Sequence, residues 1–158
     1  MERLPQPAGP ALGGELLERF ESRLPEETEA FGERLGRRLV GGDLLFLHGE
    51  IGAGKTTLVK GIARGVGVEG QVTSPTFTVG QRYRGRRFNL AHIDLYRLAD
   101  ALAEEPGLLD DYLDAETVAV VEWPERVGRE LLGLEPRYLI SLEDLGGTRR
   151  LITVHAGG

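Results

Sequence analysis

Gly49-Glu50-Ile51-Gly52-Ala53-Gly54-Lys55-Thr56 is the stretch of this chain richest in chemistry. A glycine, four residues and then Gly-Lys-Thr is the spacing of a loop that wraps a phosphate chain. Glycines let such a backbone curl with its N–H groups inward, and a helix starting at the end of the loop favours an anion there. Lys55 can reach the outer phosphates, the Thr56 hydroxyl can ligate Mg²⁺, and Thr57 continues the cradle. In a chain with 23 glycines, two well-spaced ones prove little. Lysine is the scarce letter: only Lys55 and Lys60 occur, and every other member of the 19 Lys and Arg residues is arginine. One of the two falls where the motif requires it.

A phosphate loop needs acidic partners for the metal and for the attacking water. Glu122 ends the run Thr117-Val118-Ala119-Val120-Val121, and Asp94 ends Ala91-His92-Ile93. In open α/β sheets ligands gather at the carboxyl ends of strands, so both acids suit Mg²⁺; the competing reading is a cap on the next helix. His92 lies two residues before Asp94, on the same face of a strand, and is either a core histidine or part of the site. Ser74-Pro75-Thr76 is either a nucleotide-sensing switch loop offering the Thr76 hydroxyl or an ordinary proline turn. Trp123, the only tryptophan, is either core or an aromatic that stacks on a base or a partner. Arg82, Arg84, Arg86 and Arg87 surround one turn, as a solvated hairpin or as a contact for RNA phosphates or an acidic partner. His48 reads as structural, and His155 carries no signal.

The elements that must hold these residues are legible in outline. Residues 1–23, rich in proline and glycine at the start, read as a loose extension with a short helix over Glu15–Ser22. Ala30, Phe31, Leu35, Leu39 and Val40 mark an amphipathic helix that stops at Gly41-Gly42. Leu44–His48 is an unbroken apolar run, as expected of a strand buried on both faces. The phosphate loop leads into a helix from Lys55 to about Val66, closed by Gly65 and Gly67. Val79–Arg84 and Arg87–Asp94 predict an antiparallel hairpin around Gly85. Leu95–Glu104 and Leu108–Leu113 read as short helices broken by Pro106-Gly107. Pro124 suits the start of a helix reaching about Leu132. Tyr138–Glu143 and Arg149–His155 flank Gly146-Gly147 as a closing hairpin. The whole is an α/β domain over residues 24–158. Its expected architecture is a three-layer sandwich, with a mostly parallel central sheet, antiparallel edge strands and helices on both faces.

The composition narrows the class of function. With 41% hydrophobic and 28% charged residues, the 158-residue chain is that of one globular domain. A net charge of −6 opposes a protein whose main task is coating nucleic acid, while leaving room for a local basic patch. No apolar run reaches the roughly 18 residues of a membrane span, no secretory pattern opens the chain, and without cysteine there is no disulfide or thiolate metal site. A cytoplasmic protein is expected. Asn89 is the only asparagine and Met1 the only methionine, a depletion of thermolabile residues that suits a thermophile.

Taken in order, Gly49–Thr57, Ser74-Pro75-Thr76-Phe77-Thr78, His92-Ile93-Asp94-Leu95-Tyr96-Arg97-Leu98 and Val121-Glu122-Trp123-Pro124-Glu125 resemble the TsaE (YjeE) family. That family is the bacterial ATPase subunit of tRNA threonylcarbamoyladenosine biosynthesis, and the resemblance covers about Leu24 to the C-terminus. It implies a P-loop NTPase-like fold, ATP and Mg²⁺ as cofactors, and the TsaB and TsaD subunits as partners. Those subunits transfer threonylcarbamoyl to the adenosine beside the anticodon, and ATP turnover by this subunit would reset them. It further implies that Lys55 binds the β- and γ-phosphates, Thr56 and Glu122 hold Mg²⁺, and Asp94 is needed for hydrolysis. Thr76 would belong to the sensing loop, and the turn with Glu27 and Thr28 would approach the adenine. Trp123 is counted among the nucleotide contacts. tRNA would be reached indirectly or through the Arg82–Arg87 hairpin. One departure is Gln81-Arg82-Tyr83, where many members carry an Asn-Glu-Tyr-like stretch. A small-molecule kinase is the chief alternative, with Asp94 and Arg97 at an acceptor and Arg126 and Arg129 in a lid. A third reading is a nucleotide-gated binding protein. A GTPase is disfavoured because no Asn-Lys-x-Asp stretch exists.

Overall fold

The computed structural model describes residues 14–50, 52–73, 79–94, 101, 104–105, 107–123 and 135–157. Seven strands form one sheet in the order β1-β7-β6-β2-β5-β4-β3. They are β1 (Leu16–Ser22), β2 (Leu44–His48), β3 (Gly80–Tyr83), β4 (Asn89–Asp94), β5 (Thr117–Trp123), β6 (Tyr138–Gly146) and β7 (Arg149–Ala156). The four central strands β6, β2, β5 and β4 run parallel. β3 joins one edge antiparallel, and β7 and then β1 close the other. The mostly parallel sheet with antiparallel edges is therefore present, and every residue of β2 is buried, as its continuous apolar run requires.

The two described α-helices, α1 (Pro25–Arg38) and α2 (Lys55–Val66), pack on one face of the sheet with Leu45, Leu47, Leu90, Val118, Val120 and Ile140. The other face gathers Leu44, Phe46, Ala91, Ile93, Ala119, Val121 and Leu139 under Val79, Tyr112 and Leu113. The helices expected over most of 95–104 and over 124–132 lie outside the described residues, so helices on both faces are not shown. Leu108–Asp111 is a 3-10 turn rather than the expected helix to Leu113.

The seam between α1 and α2 is made of glycine. A Cβ on Gly61 would sit 2.0 Å from the Glu29 carbonyl oxygen, and one on Gly65 2.3 Å from that of Glu33. From the other helix, a Cβ on Gly32 would meet the Leu58 carbonyl oxygen at 2.4 Å, and one on Gly36 that of Ile62 at 2.4 Å. Two pairs spaced four apart let the backbones touch. The buried stripe of α1 is accordingly Thr28, Phe31, Gly32, Leu35 and Gly36, whereas Ala30 and Val40, expected on the apolar face, are exposed. Gly65 does not end α2; it lies within the helix, and Gly67 closes it at φ +103°.

Residues 16–22 correct the expected short helix. Their local preference is overridden by antiparallel pairing with β7, from Leu16 opposite His155 to Ser22 opposite Arg150. Alternation does the rest: Phe20 turns inward and stacks on Phe31, with ring centroids 5.2 Å apart and Arg34 over both rings. Residues 1–13 lie outside the described residues.

The basic hairpin turn is partly spoken for within the chain. Arg87 donates to the carbonyls of Gly65 at 2.9 Å, Leu39 at 3.2 Å and Gly36 at 3.5 Å, closing the C-terminal ends of both helices. Arg86 pairs with Glu69 at 2.5 Å, and Arg82 lies over the Tyr112 ring.

The glycine seam gives a sharp expectation. Gly61→Ala gains helix propensity yet should lower the unfolding free energy by about 1–3 kcal/mol, because backbone has to give way. Lys60→Ala, on the exposed side of the same helix, should change it by less than about 0.5 kcal/mol. Denaturant unfolding of the two variants would decide; an unchanged midpoint for Gly61→Ala would disprove a rigid seam.

Candidate functional site

β2 delivers the chain into the loop, and the loop into α2. Gly52 at φ +85° and Gly54 at φ +97° take the left-handed conformation that side chains resist, which makes the tight curl feasible. Ala53, between them, is buried in the core and anchors the loop, and its N–H closes a turn onto the Glu50 carbonyl at 3.0 Å. At Gly49 a Cβ would lie 3.0 Å from the Leu142 carbonyl oxygen, so β6 presses on the start of the loop. α2 then begins at Lys55 with no side-chain cap on Gly54 and no acid in its first turn. The first-turn N–H groups of such a helix favour an anion.

Both acids stand at the carboxyl-end region of their strands, as their apolar runs predict. In the parallel pairing of β4 with β5, Asp94 lies directly opposite Glu122, and His92 opposite Val120. Opposite residues share a face, and two-residue steps bring His92, Asp94 and Glu122 to the face of Leu90, Val118 and Val120, which packs against the helices. Lys55 faces both carboxylates, and each acts to hold its ammonium charged, although burial is the larger influence and lowers its pKa. Its Nζ donates to the Gly49 carbonyl at 2.6 Å, folding the side chain back over its own loop.

Glu122 is the most constrained acid. Its side chain is 15% exposed, and burial by itself pushes the carboxyl up; the hydrogen bond and charge of His92, with Lys55 behind them, bring it below the usual value. His92 Nε2 lies 2.7 Å from Glu122 Oε2, and the imidazole is fully buried. With Nδ1 buried and unbonded among the described residues, Nε2 is the nitrogen that donates to the carboxylate. His92 is therefore an orienting group for Glu122, and the core alternative is subsumed: it is both.

This donor set fits a nucleoside triphosphate with magnesium. Mg²⁺ at phosphate sites takes one or two protein oxygens and completes its shell with phosphates and water. Among the described residues no group of three or more His, Cys, Asp or Glu could hold a metal alone, so a metal here would depend on the phosphates as well as on Thr56 and Glu122.

Other expected site residues fall out differently. Thr28 is buried and its hydroxyl is bonded to that of Ser22 at 2.6 Å, so its side chain is committed within the fold. Glu27, in the first turn of α1, accepts from the N–H of Arg23, one residue ahead of the N-cap Leu24, at 3.3 Å. Glu50 contributes its carbonyl to the loop turn. Ile51, Thr76 with its switch loop, Arg97, Arg126, Arg129 and the Trp123 side chain lie outside the described residues. His48 borders a cavity of roughly 220 Å³ beside the loop, with Ser141, Glu143 and Asp144. One residue that no motif singled out touches the loop: Arg150 Nη2 donates to the Gly52 carbonyl at 3.0 Å. Its partner is distant in sequence, so no local pattern announces it.

The Glu122 carboxyl ties stability to acid. Its folded pKa lies below the unfolded one, so the pair with His92 stabilises the fold above the ordinary carboxylate value, and this contribution disappears as pH falls through the folded value. His92→Phe should lower unfolding free energy at pH 7 by roughly 1–3 kcal/mol. The gap to the unsubstituted chain should narrow below about pH 4. A gap that stays constant from pH 7 to pH 3 would show that the bond to Glu122 is not its source.

Comparison with known proteins places the chain in a family. The family model described as "Threonylcarbamoyl adenosine biosynthesis protein TsaE" matches residues 22–152. The tRNA threonylcarbamoyladenosine biosynthesis protein TsaE of Treponema pallidum is 40% identical over 146 residues, covering 86% of this chain and 98% of that one. The protein of the same name from Bacillus subtilis is 39% identical over 134 residues, covering 85% and 82%. For the one from Synechocystis the figures are 41% over 104 residues, so that the match spans 63% of this chain and 66% of the relative. Among solved structures, Bacillus subtilis YdiB superposes with a TM-score of 0.69 at 34% identity, over 92% of this chain and 88% of that one. With the model match running from residue 22 to residue 152, the chain belongs to the TsaE family of tRNA threonylcarbamoyladenosine biosynthesis proteins.

Proposed function

We propose that this chain is a magnesium-dependent ATPase that supports formation of threonylcarbamoyladenosine on tRNA by resetting the TsaB–TsaD transfer complex. One observation carries the reading: Lys55, Asp94 and Glu122 converge on the glycine loop at the uncapped start of α2. The roles follow from the chemistry of each group. The loop from Gly49 to Thr57 offers backbone N–H groups to the phosphates, and Lys55 leaves the Gly49 carbonyl to meet the outer ones. Thr56 and Glu122 hold Mg²⁺, which when bound neutralises charge on the β- and γ-phosphates. His92 keeps one oxygen of Glu122 occupied and so directs the other. Asp94 is assigned to hydrolysis, at the metal or through water. Thr76 is assigned to sensing the γ-phosphate, Trp123 to a nucleotide or partner contact, and the backbone around Glu27 and Thr28 to the base.

Purified chain should consume ATP slowly alone and faster with the TsaB and TsaD subunits. Lys55→Ala, Asp94→Ala and Glu122→Ala should each lower turnover about a hundredfold or more and abolish supported tRNA modification. Full modification supported by a variant that cannot hydrolyse ATP would eliminate the resetting role. A small acceptor that accelerates turnover and emerges phosphorylated would establish the kinase alternative instead.

A further inference from the structure

The C-terminal hairpin has no part in the roles above, yet it reaches into the phosphate loop. Arg150, the second residue of β7, pairs with Asp144 across the hairpin and with Ser22 on its other side. Its side chain is 17% exposed. Nη1 donates to Asp144 Oδ1 at 3.0 Å and to the carbonyls of Gly147 and Arg149, each at 2.8 Å. Nη2 donates to the Gly52 carbonyl at 3.0 Å. The guanidinium also flanks Gly54, where an added Cβ would lie 3.8 Å from both Nε and Cγ.

Those contacts fall on the two left-handed glycines of the loop. Glycine has the most backbone freedom to lose, so a loop that must present N–H groups to phosphates gains from anything that limits it beforehand. The Gly52–Ala53 peptide is held at both ends: Arg150 takes its carbonyl, and its N–H is bonded to the Glu50 carbonyl. Because a trans peptide is planar, fixing both groups fixes the plane. A charged donor bridging four oxygens in a partly buried place is a stronger tether than a neutral one. The hairpin turn is anchored in its turn, since Thr148 Oγ1 donates to the Arg23 carbonyl at 2.5 Å, just ahead of α1.

We infer that Arg150 is a positioning residue for the nucleotide: its guanidinium clamps the phosphate loop to the C-terminal hairpin and sets the loop's shape before phosphate arrives. The inference rests on the reading that the loop binds a nucleotide.

The test uses the full chain with Arg150→Met and Arg150→Lys, titrated with Mg²⁺ and either ADP or inorganic tripolyphosphate, beside thermal unfolding without ligand. Arg150→Met should bind both ligands about tenfold more weakly. Arg150→Lys should recover little, because an ammonium cannot span the four oxygens. Unchanged affinity in Arg150→Met overturns the inference, as does full recovery in Arg150→Lys or a loss confined to ADP, which would mark a base contact. If Arg150→Met does not fold, Asp144→Asn loosens the same guanidinium, and wild-type affinity in that variant overturns the clamp. Failure of the unsubstituted chain to bind either ligand would remove the nucleotide reading itself.

Discussion

Two carboxylates held side by side on adjacent parallel strands are the constraint around which this protein is arranged. Asp94 and Glu122 are direct neighbours across β4 and β5, and Glu122 is largely withdrawn from water. Burial sets a desolvation penalty against the charged Glu122 carboxylate. Two neighbouring groups make the arrangement tolerable. His92 donates to Glu122 from one side, and the Lys55 ammonium offsets both acids from the other. Removing either would leave charge in a place that favours neutral groups. The site is thus electrostatically incomplete without its lysine, and the lysine is itself disfavoured by burial without its acids.

That mutual dependence explains why the scaffold is stiff where it is. Lys55 is the first residue of α2, so the position of the ammonium is the position of the helix. α2 is fixed against α1 by the contacts at Gly32, Gly36, Gly61 and Gly65, where backbone meets backbone and nothing compressible lies between. At the far end Arg87 joins the ends of the two helices. The sheet beneath holds β2 buried along its whole length, on both faces. Rigidity is therefore spread along the helix pair that carries Lys55.

How much of this could be read from residue order depends on the range of the interaction. The glycine loop, the apolar β2 run, the acids ending β4 and β5 and both hairpins are local patterns, and each stands where its spacing places it. That each acid ends an apolar run is legible locally, whereas the register that sets Asp94 against Glu122 is supplied by the pairing of β4 with β5. The strand at 16–22 was read as a helix because its partner, β7, lies more than a hundred residues on. Gly65 was taken for a terminator because glycine usually interrupts helices; here the missing side chain is what the neighbouring helix requires. Arg150 gives no sign, since an arginine three residues past a Gly-Gly turn is unremarkable until the loop it grips is in view.

The order of the sheet has a consequence for how the chain is made. Among the described strands, β1 comes first in chain order and pairs with β7, which comes last. Synthesis therefore delivers residues 16–22 long before anything exists for them to join. During that interval α1, the phosphate loop and the parallel core can assemble, while the first strand waits beside them with its hydrogen-bonding groups in water. The alternation of Glu18, Arg19 and Glu21 with Phe20 suits such a wait, because charge along a lone strand discourages pairing with the wrong neighbour. Residues 16–22 therefore find their strand partner only once residues 149–156 have been synthesised.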